Sequence, residues 1–268
     1  DVIGFDLLAE ATKKAEQKGI QIAKDAASTV KNVDVLISML PASKNVESLY
    51  LGEDGLLSKL DTSILIIDCS TIAPDTARKV ANQAKVLGLS MIDAPVSGGV
   101  AAAASGTLTF MVGGDADAFD KAQGALGAMG KKIVHAGGHG AGQAAKICNN
   151  MLLGATMIAT CESFQLAQKL GLDAQVFFDI ASNASGQTWS MTTYCPVKGV
   201  GPQSPADNDF AGGFASALML KDLGLAMQGA KGVNAQVPMG ELAAKWFEMH
   251  CEEGNAGMDF SSIINRLA

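Results

Sequence analysis

The sequence predicts an α/β fold followed by an all-helical part, with one long helix between them. Three observations carry this. Short apolar runs at residues 2–5, 35–39, 64–67 and 91–92 alternate with helix-length amphipathic segments such as 73–87, the pattern of parallel strands linked by crossover helices. From 143 to 170 the pattern changes to a helical period, with Ile147, Met151, Leu152, Leu153, Ile158, Phe164, Leu166 and Leu170 covering nearly every face. After Gly171 only helix-period segments remain, punctuated by helix start and stop residues. With 268 residues, 48% of them hydrophobic, the chain can bury a sizeable core and fill one large or two modest domains.

In the first part, Asp61-Thr-Ser-Ile-Leu-Ile-Ile-Asp68 reads as a strand covered on both faces, since such strands are continuously aliphatic rather than alternating. Two more strands are expected at 108–112 and 132–134. A helix that is apolar all round must be buried, so 143–170 is expected to lie between two domains or two subunits, ending at Gly171. Beyond it, 173–182, 214–230, 238–251 and 260–267 are expected to be helices. The Pro/Gly/Asp-rich stretch 199–209 is a loop, which suits a lid, a subunit contact or a solvated connection.

A net charge of −7 argues against nucleic acid or an anionic membrane surface as partner, because both require a basic face. No apolar run reaches the length of a membrane span. The five cysteines are odd in number and scattered, and the three histidines form no cluster with ligand spacing, so a metal site is not expected. Reduced thiols suit a reducing compartment: the cytoplasm in a bacterium, or the mitochondrial matrix in a eukaryote.

Asp6 follows the apolar run at 2–5, where a nucleotide-binding fold places an acid against the adenosine ribose hydroxyls; acids here also commonly cap the next helix. Its charge would repel a 2′-phosphate and so favours NAD over NADP. The glycine-rich phosphate loop that precedes such an acid does not occur, and about 25–30 residues of a βαβ unit are expected ahead of Asp1.

Ser97, Gly98 and Gly99 stand where a strand enters a loop, so their backbone N–H groups and the Ser97 hydroxyl suit a substrate carboxylate; a tight turn without a ligand is the alternative. Lys146 and Asn150 are four residues apart and share one face of the long helix. Burial would lower the lysine pKa toward a range useful for proton transfer, unless the side chain snorkels to solvent.

Together, Asp93-Ala-Pro-Val-Ser-Gly-Gly99, Gly140-Ala-Gly-Gln-Ala-Ala-Lys-Ile-Cys-Asn-Asn150 and Lys221-Asp222-Leu-Gly-Leu-Ala226 resemble the motifs of the β-hydroxyacid dehydrogenase family. The resemblance runs from Asp1 to about Leu267. It implies a Rossmann-type NAD-binding domain over 1–139 that lacks its first strand, an interdomain helix over 140–170 and a helical C-terminal domain over 171–268. It further implies that Lys146 is catalytic, that Asn150 orients the substrate hydroxyl, and that Ser97, Gly98 and Gly99 hold the carboxylate. Leu40, Pro41, Asn45 and Thr71 match the family's NAD contacts, Lys221 its nicotinamide end, and Asp6 becomes the ribose ligand.

Ala184-Ser-Gly-Gln-Thr-Trp-Ser190, Tyr194-Cys-Pro-Val197 and Phe210-Ala-Gly-Gly-Phe214 resemble the hydroxyisobutyrate branch of that family. Trp189 and Phe214 would then shape a pocket for the substrate methyl group, or simply pack in the core. The implied reaction is NAD-dependent oxidation of 3-hydroxyisobutyrate to methylmalonate semialdehyde, a step of valine breakdown. The alternatives are turnover of a related substrate (tartronate semialdehyde, glyoxylate or succinic semialdehyde) and, for want of a phosphate loop, an inactive form unable to bind NAD. The expected partners are a small hydroxy acid and further copies of the chain, as a dimer or tetramer.

Overall fold

The computed structural model describes residues 1–267. The chain forms two compact units, one comprising Asp1–Gly98 and Ala102–Gln143, the other Gly99–Ala101 and Ala144–Ala268. In chain order the first half contains β1 (Ile3–Gly4), α1 (Ala9–Glu16), β2 (Gln21–Ile22), β3 (Val35–Ser38), α2 (Ser43–Leu51), β4 (Leu65–Asp68) and α3 (Pro74–Val86). There follow β5 (Ser90–Asp93), β6 (Val96–Ser97), α4 (Gly99–Ala104), β7 (Leu108–Gly114), α5 (Ala116–Gly127) and β8 (Gly130–Gly137).

β1 and β2 pair in parallel as a small sheet of their own. In the main sheet β3, β4 and β5 run parallel and in register, which brings Ser38, Asp68 and Asp93 side by side at their carboxyl ends. Alternation along β4 explains the continuous aliphatic run. Ile66 packs with Val46, Tyr50, Val80 and Ala84 from α2 and α3, whereas Leu65 and Ile67 pack with Ala118, Ala122 and Leu126 from α5. Ile66, Ile67 and Ile92 are completely buried, each contributing about 1.5–3 kcal/mol of transfer free energy. Pro74 starts α3 where a missing N–H costs nothing and its fixed φ is already helical.

The sheet is mixed rather than wholly parallel. β7 is antiparallel to both β5 and β6 and parallel to β8, so β5 and β6 share one of its edges in succession. Only the ten residues 98–107 separate β6 from β7, shorter than the dozen or so that a parallel return demands. Apolar runs reveal a strand but not its direction.

The second unit is helical: most of α6 (Ala141–Lys169), then α7 (Ala174–Ala181), α8 (Trp189–Thr192), α9 (Ser216–Gly232) and α10 (Pro238–His250). Asp173 caps α7 by accepting the N–H groups of Gln175 and Val176, which satisfies two otherwise orphaned donors. The core gathers Met157, Ile158 and Cys161 of α6, Met219 and Leu223 of α9, and Ala243 and Phe247 of α10 around Phe260 and Ile263. Leu152 and Leu166 of α6, and Leu170 just past its end, stay exposed, so the helix is not buried on every face within this chain. Residues 260–266, expected as an α-helix, form a 3₁₀ turn opened by Asp259.

Asp259 is fully buried and gathers four donors: Tyr194 Oη–H at 2.8 Å, Phe214 N–H at 2.7 Å, Ser261 N–H at 2.9 Å and Ser261 Oγ–H at 2.6 Å. Gly213 sits against the same carboxylate at φ 69° with no room for a Cβ. No helix among the described residues is long and apolar enough to cross a membrane. No group of three or more His, Cys, Asp or Glu side chains among them could hold a metal ion.

Candidate active site

In the first unit, the predicted cofactor residues lie just past the carboxyl ends of parallel strands. Leu40 and Pro41 follow β3, Asn45 lies in the first turn of α2, Thr71 follows β4, and Asp6 follows β1. Leu40 N–H donates to Ser70 Oγ at 2.8 Å, which ties the ends of β3 and β4 together. Asp6 is exposed, and one of its oxygens accepts Leu8 N–H at 2.8 Å, so it does cap the following turn. Asp6 retains a second carboxylate oxygen.

Ser97 closes β6, paired with Thr109 of β7. The next two residues, Gly98 and Gly99, have φ of 128° and 66°, which L side chains rarely adopt. This sharp turn exposes both glycines.

The amino terminus of α6 is held by Asp93. Its carboxylate accepts Gly140 N–H at 2.7 Å and Gln143 N–H at 3.1 Å, replacing partners that a helix start lacks. A Cβ on Gly142 would collide with Met111 O and come within 2.8 Å of Asp93 Oδ2, so the second glycine of the motif allows the close approach. Burial raises the Asp93 pKa to about 6, against the lowering effect of the two N–H donors.

In the second unit, α6 and α9 bring four predicted or neighbouring polar residues together. Lys146 is 7% exposed, Asn150 2% and Asp222 2%, so the lysine does not snorkel to solvent. Asn150 Nδ2–H donates to Asp222 Oδ2 at 2.6 Å, and Lys221 Nζ lies 3.5 Å from Asp222 Oδ1. Burial holds the Lys146 pKa below its ordinary value; the Asp222 carboxylate opposes this and the Lys221 ammonium adds to it. Asp222 is itself raised by burial, moderated by Lys221 and Lys146. Two lysines and one aspartate thus share a largely dry site with an oriented amide.

Trp189 and Phe214 are joined through other rings. Trp189 stacks on Tyr194 at 4.9 Å, Tyr194 on Phe260 at 5.4 Å, and Phe214 meets Phe260 edge-on at 5.9 Å. Phe214 packs against the helical core, while Trp189 keeps half its surface exposed.

Sequence reasoning gave Lys221 a role but none to its neighbour Asp222, nor to Gln143, Asp68 or Asp93. Two signals were available: an acid directly after a motif lysine, and a polar residue three positions before Lys146 on a greasy helix.

A nicotinamide dinucleotide suits the strand ends. The exposed Asp6 carboxylate can accept from ribose hydroxyls, and the exposed Met39 side chain beside Leu40 offers apolar surface to a flat heterocycle. In the first unit the parallel strands with their carboxyl-end residues suit a dinucleotide, and in the second the buried lysine beside an oriented amide suits proton transfer.

Residues 1–138 match the family described as the NAD binding domain of 6-phosphogluconate dehydrogenase, and residues 140–267 that described as NAD-binding of NADP-dependent 3-hydroxyisobutyrate dehydrogenase. The chain is 51% identical over 261 residues to a 3-hydroxyisobutyrate dehydrogenase of Pseudomonas aeruginosa, covering 97% of this chain and 88% of the relative. It is 48% identical over 263 residues to an NAD-dependent L-serine dehydrogenase of the same organism, covering 98% and 88%. A solved structure, Mycobacterium tuberculosis 3-hydroxyisobutyrate dehydrogenase with L-serine, superposes with a TM-score of 0.93 at 45% identity, covering 99% of this chain and 90% of that one. The chain belongs to the β-hydroxyacid dehydrogenase family, and its cofactor is NAD.

Proposed function

We propose that the protein oxidises 3-hydroxyisobutyrate to methylmalonate semialdehyde, with Lys146 as general base. The observation that carries this reading is the buried Lys146–Asn150–Asp222 cluster, with burial favouring the neutral amine that proton abstraction requires. Bound NAD would supply the acceptor for the hydride that leaves the alcohol carbon. Lys146 Nζ takes the hydroxyl proton. Asn150, its amide fixed by Asp222, orients the hydroxyl oxygen, and Lys221 serves the nicotinamide end. The Ser97 hydroxyl and the N–H groups of Gly98 and Gly99 hold the carboxylate, while Trp189 and Phe214 accommodate the methyl group. Leu40, Pro41, Asn45 and Thr71 hold the dinucleotide, and the Asp6 carboxylate takes the ribose hydroxyls and repels a 2′-phosphate.

A second reading is favoured by the relatives' names: L-serine has the same 3-hydroxy-carboxylate skeleton, with an ammonium in place of the methyl. Steady-state rates with both compounds separate the two. We expect kcat/KM for 3-hydroxyisobutyrate to exceed that for L-serine by about tenfold or more, since one misfit group in an apolar pocket alters discrimination by about 1–3 kcal/mol. We also expect Trp189→Ala to shrink that ratio. Faster turnover of L-serine would reverse the assignment.

The exposed leucines of α6 also support a homo-oligomer, dimer or tetramer. Light scattering of the purified protein should give a mass of at least two chains, and a monomer at micromolar concentration contradicts it. The five free cysteines suit the reducing interior of a bacterium or the mitochondrial matrix.

A further inference from the structure

The segment Ser70-Thr71-Ile72 is held by two buried side chains that take no part in the proton transfer. From the first turn of α6, Gln143 has no exposed surface; its Nε2–H donates to Ser70 O at 2.8 Å and its Oε1 accepts Ile72 N–H at 3.0 Å. One planar amide thereby satisfies the peptide groups on both sides of Thr71, as a neighbouring strand would. From the end of β4, Asp68 Oδ1 accepts the hydroxyls of Ser70 at 2.6 Å and Ser38 at 2.7 Å, and Ser70 Oγ in turn accepts Leu40 N–H. Tyr50 Oη completes the set, 2.7 Å from Ser38 Oγ. The backbones of Leu40 and Thr71 are therefore referred to one buried frame drawn from β3, β4, α2 and α6.

We propose that Gln143 and Asp68 are positioning residues for NAD, acting through the Leu40 and Ser70-Thr71-Ile72 backbone rather than through the dinucleotide. This rests on the cofactor contacts assigned above. Buried hydrogen bonds fix a strand end that would otherwise have to be ordered when the dinucleotide arrives, so their loss falls on dinucleotide affinity and not on the proton-transfer step. Gln143 also lies where a hydrophobic residue would satisfy the burial but neither peptide group, which is why the amide matters.

The test is calorimetric titration of the intact protein with NAD, alongside steady-state kinetics. Gln143→Leu should raise the NAD Kd and KM about tenfold, leaving kcat at saturating NAD within about twofold. Gln143→Glu supplies a variant with a built-in rescue. Its neutral acid reproduces the amide's donor and acceptor and its carboxylate does not, so Kd should recover toward the native value as pH falls from about 8 to about 6. Asp93, whose Oδ2 accepts Gln143 N–H, and Asp68, bonded to Ser70, are the carboxylates that face this turn; the native enzyme carries both and provides the reference profile. Asp68→Leu, which removes the acceptor for the Ser38 and Ser70 hydroxyls, should likewise weaken NAD binding with little change in kcat. If Gln143→Leu leaves Kd unchanged while the double variant Asn45→Ala, Thr71→Val raises it, the positioning role is overturned and the cofactor contacts stand. If neither changes Kd, the cofactor contacts themselves are wrong. A Gln143→Glu enzyme whose Kd does not recover at low pH overturns the proposal even if Gln143→Leu fails to fold.

Discussion

Replacing Lys146 with alanine is expected to lower kcat/KM for hydroxy-acid oxidation by about 10²–10⁴-fold, the usual worth of a positioned general base, while NAD affinity changes little. The fold should tolerate the change. Lys146 is 7% exposed and carries a desolvation cost, and Asp222 keeps Lys221 and the Asn150 amide as partners when the lysine is removed. The native enzyme should show a matching pH dependence. Because the base must be neutral, the oxidation rate rises with pH through the lysine pKa, and burial places that rise below the ordinary lysine range. Alanine should abolish the rise as well as the rate. Retention of wild-type turnover by Lys146→Ala would remove the lysine from the mechanism.

The second large effect is expected at Asp222. Its carboxylate raises the Lys146 pKa, so Asp222→Asn should move the acid limb of the kcat/KM profile to lower pH, the direction opposite to simple damage. Asparagine keeps an oxygen for Asn150 Nδ2, so the amide stays oriented and part of the rate survives. Asp222→Ala leaves Lys146 and Lys221 without their carboxylate and Asn150 without its acceptor. Breaking a buried, hydrogen-bonded charge group in this way costs about 3–5 kcal/mol, measurable by urea denaturation. An unchanged acid limb in Asp222→Asn would mean that the carboxylate does not couple to the base.

Much of this was legible from residue pattern. The four apolar runs with their intervening helices, the long helix after Gly140 and the helical remainder all follow from periodicity, and the three motifs together specify the family where each alone would not. What escaped was direction and partnership. Leu108–Gly114 is apolar whichever way it runs, and only the short link after Ser97 forces the antiparallel pairing. Residues 260–266 carry a helix-like apolar pattern yet form a 3₁₀ turn. Asp222 and Gln143 were visible as polar residues in motifs, but their partners lie 72 and 71–73 positions away, a separation that no local pattern encodes. The contact of Phe214 with Phe260 likewise joins rings from distant parts of the chain, which no local pattern encodes.

The four donors on Asp259 carry a consequence for biosynthesis. Two of them, on Tyr194 and Phe214, belong to residues made 65 and 45 positions earlier, and Ala215 bridges to the same residue. Until residue 259 has left the ribosome, that hydroxyl and that amide have only water as acceptor, and the turn through Gly213 has nothing to close upon. The main sheet of the first unit needs nothing beyond Gly137 for its strands. Translation therefore orders assembly, with the sheet completed early and the Trp189–Tyr194–Phe260–Phe214 ring series set late.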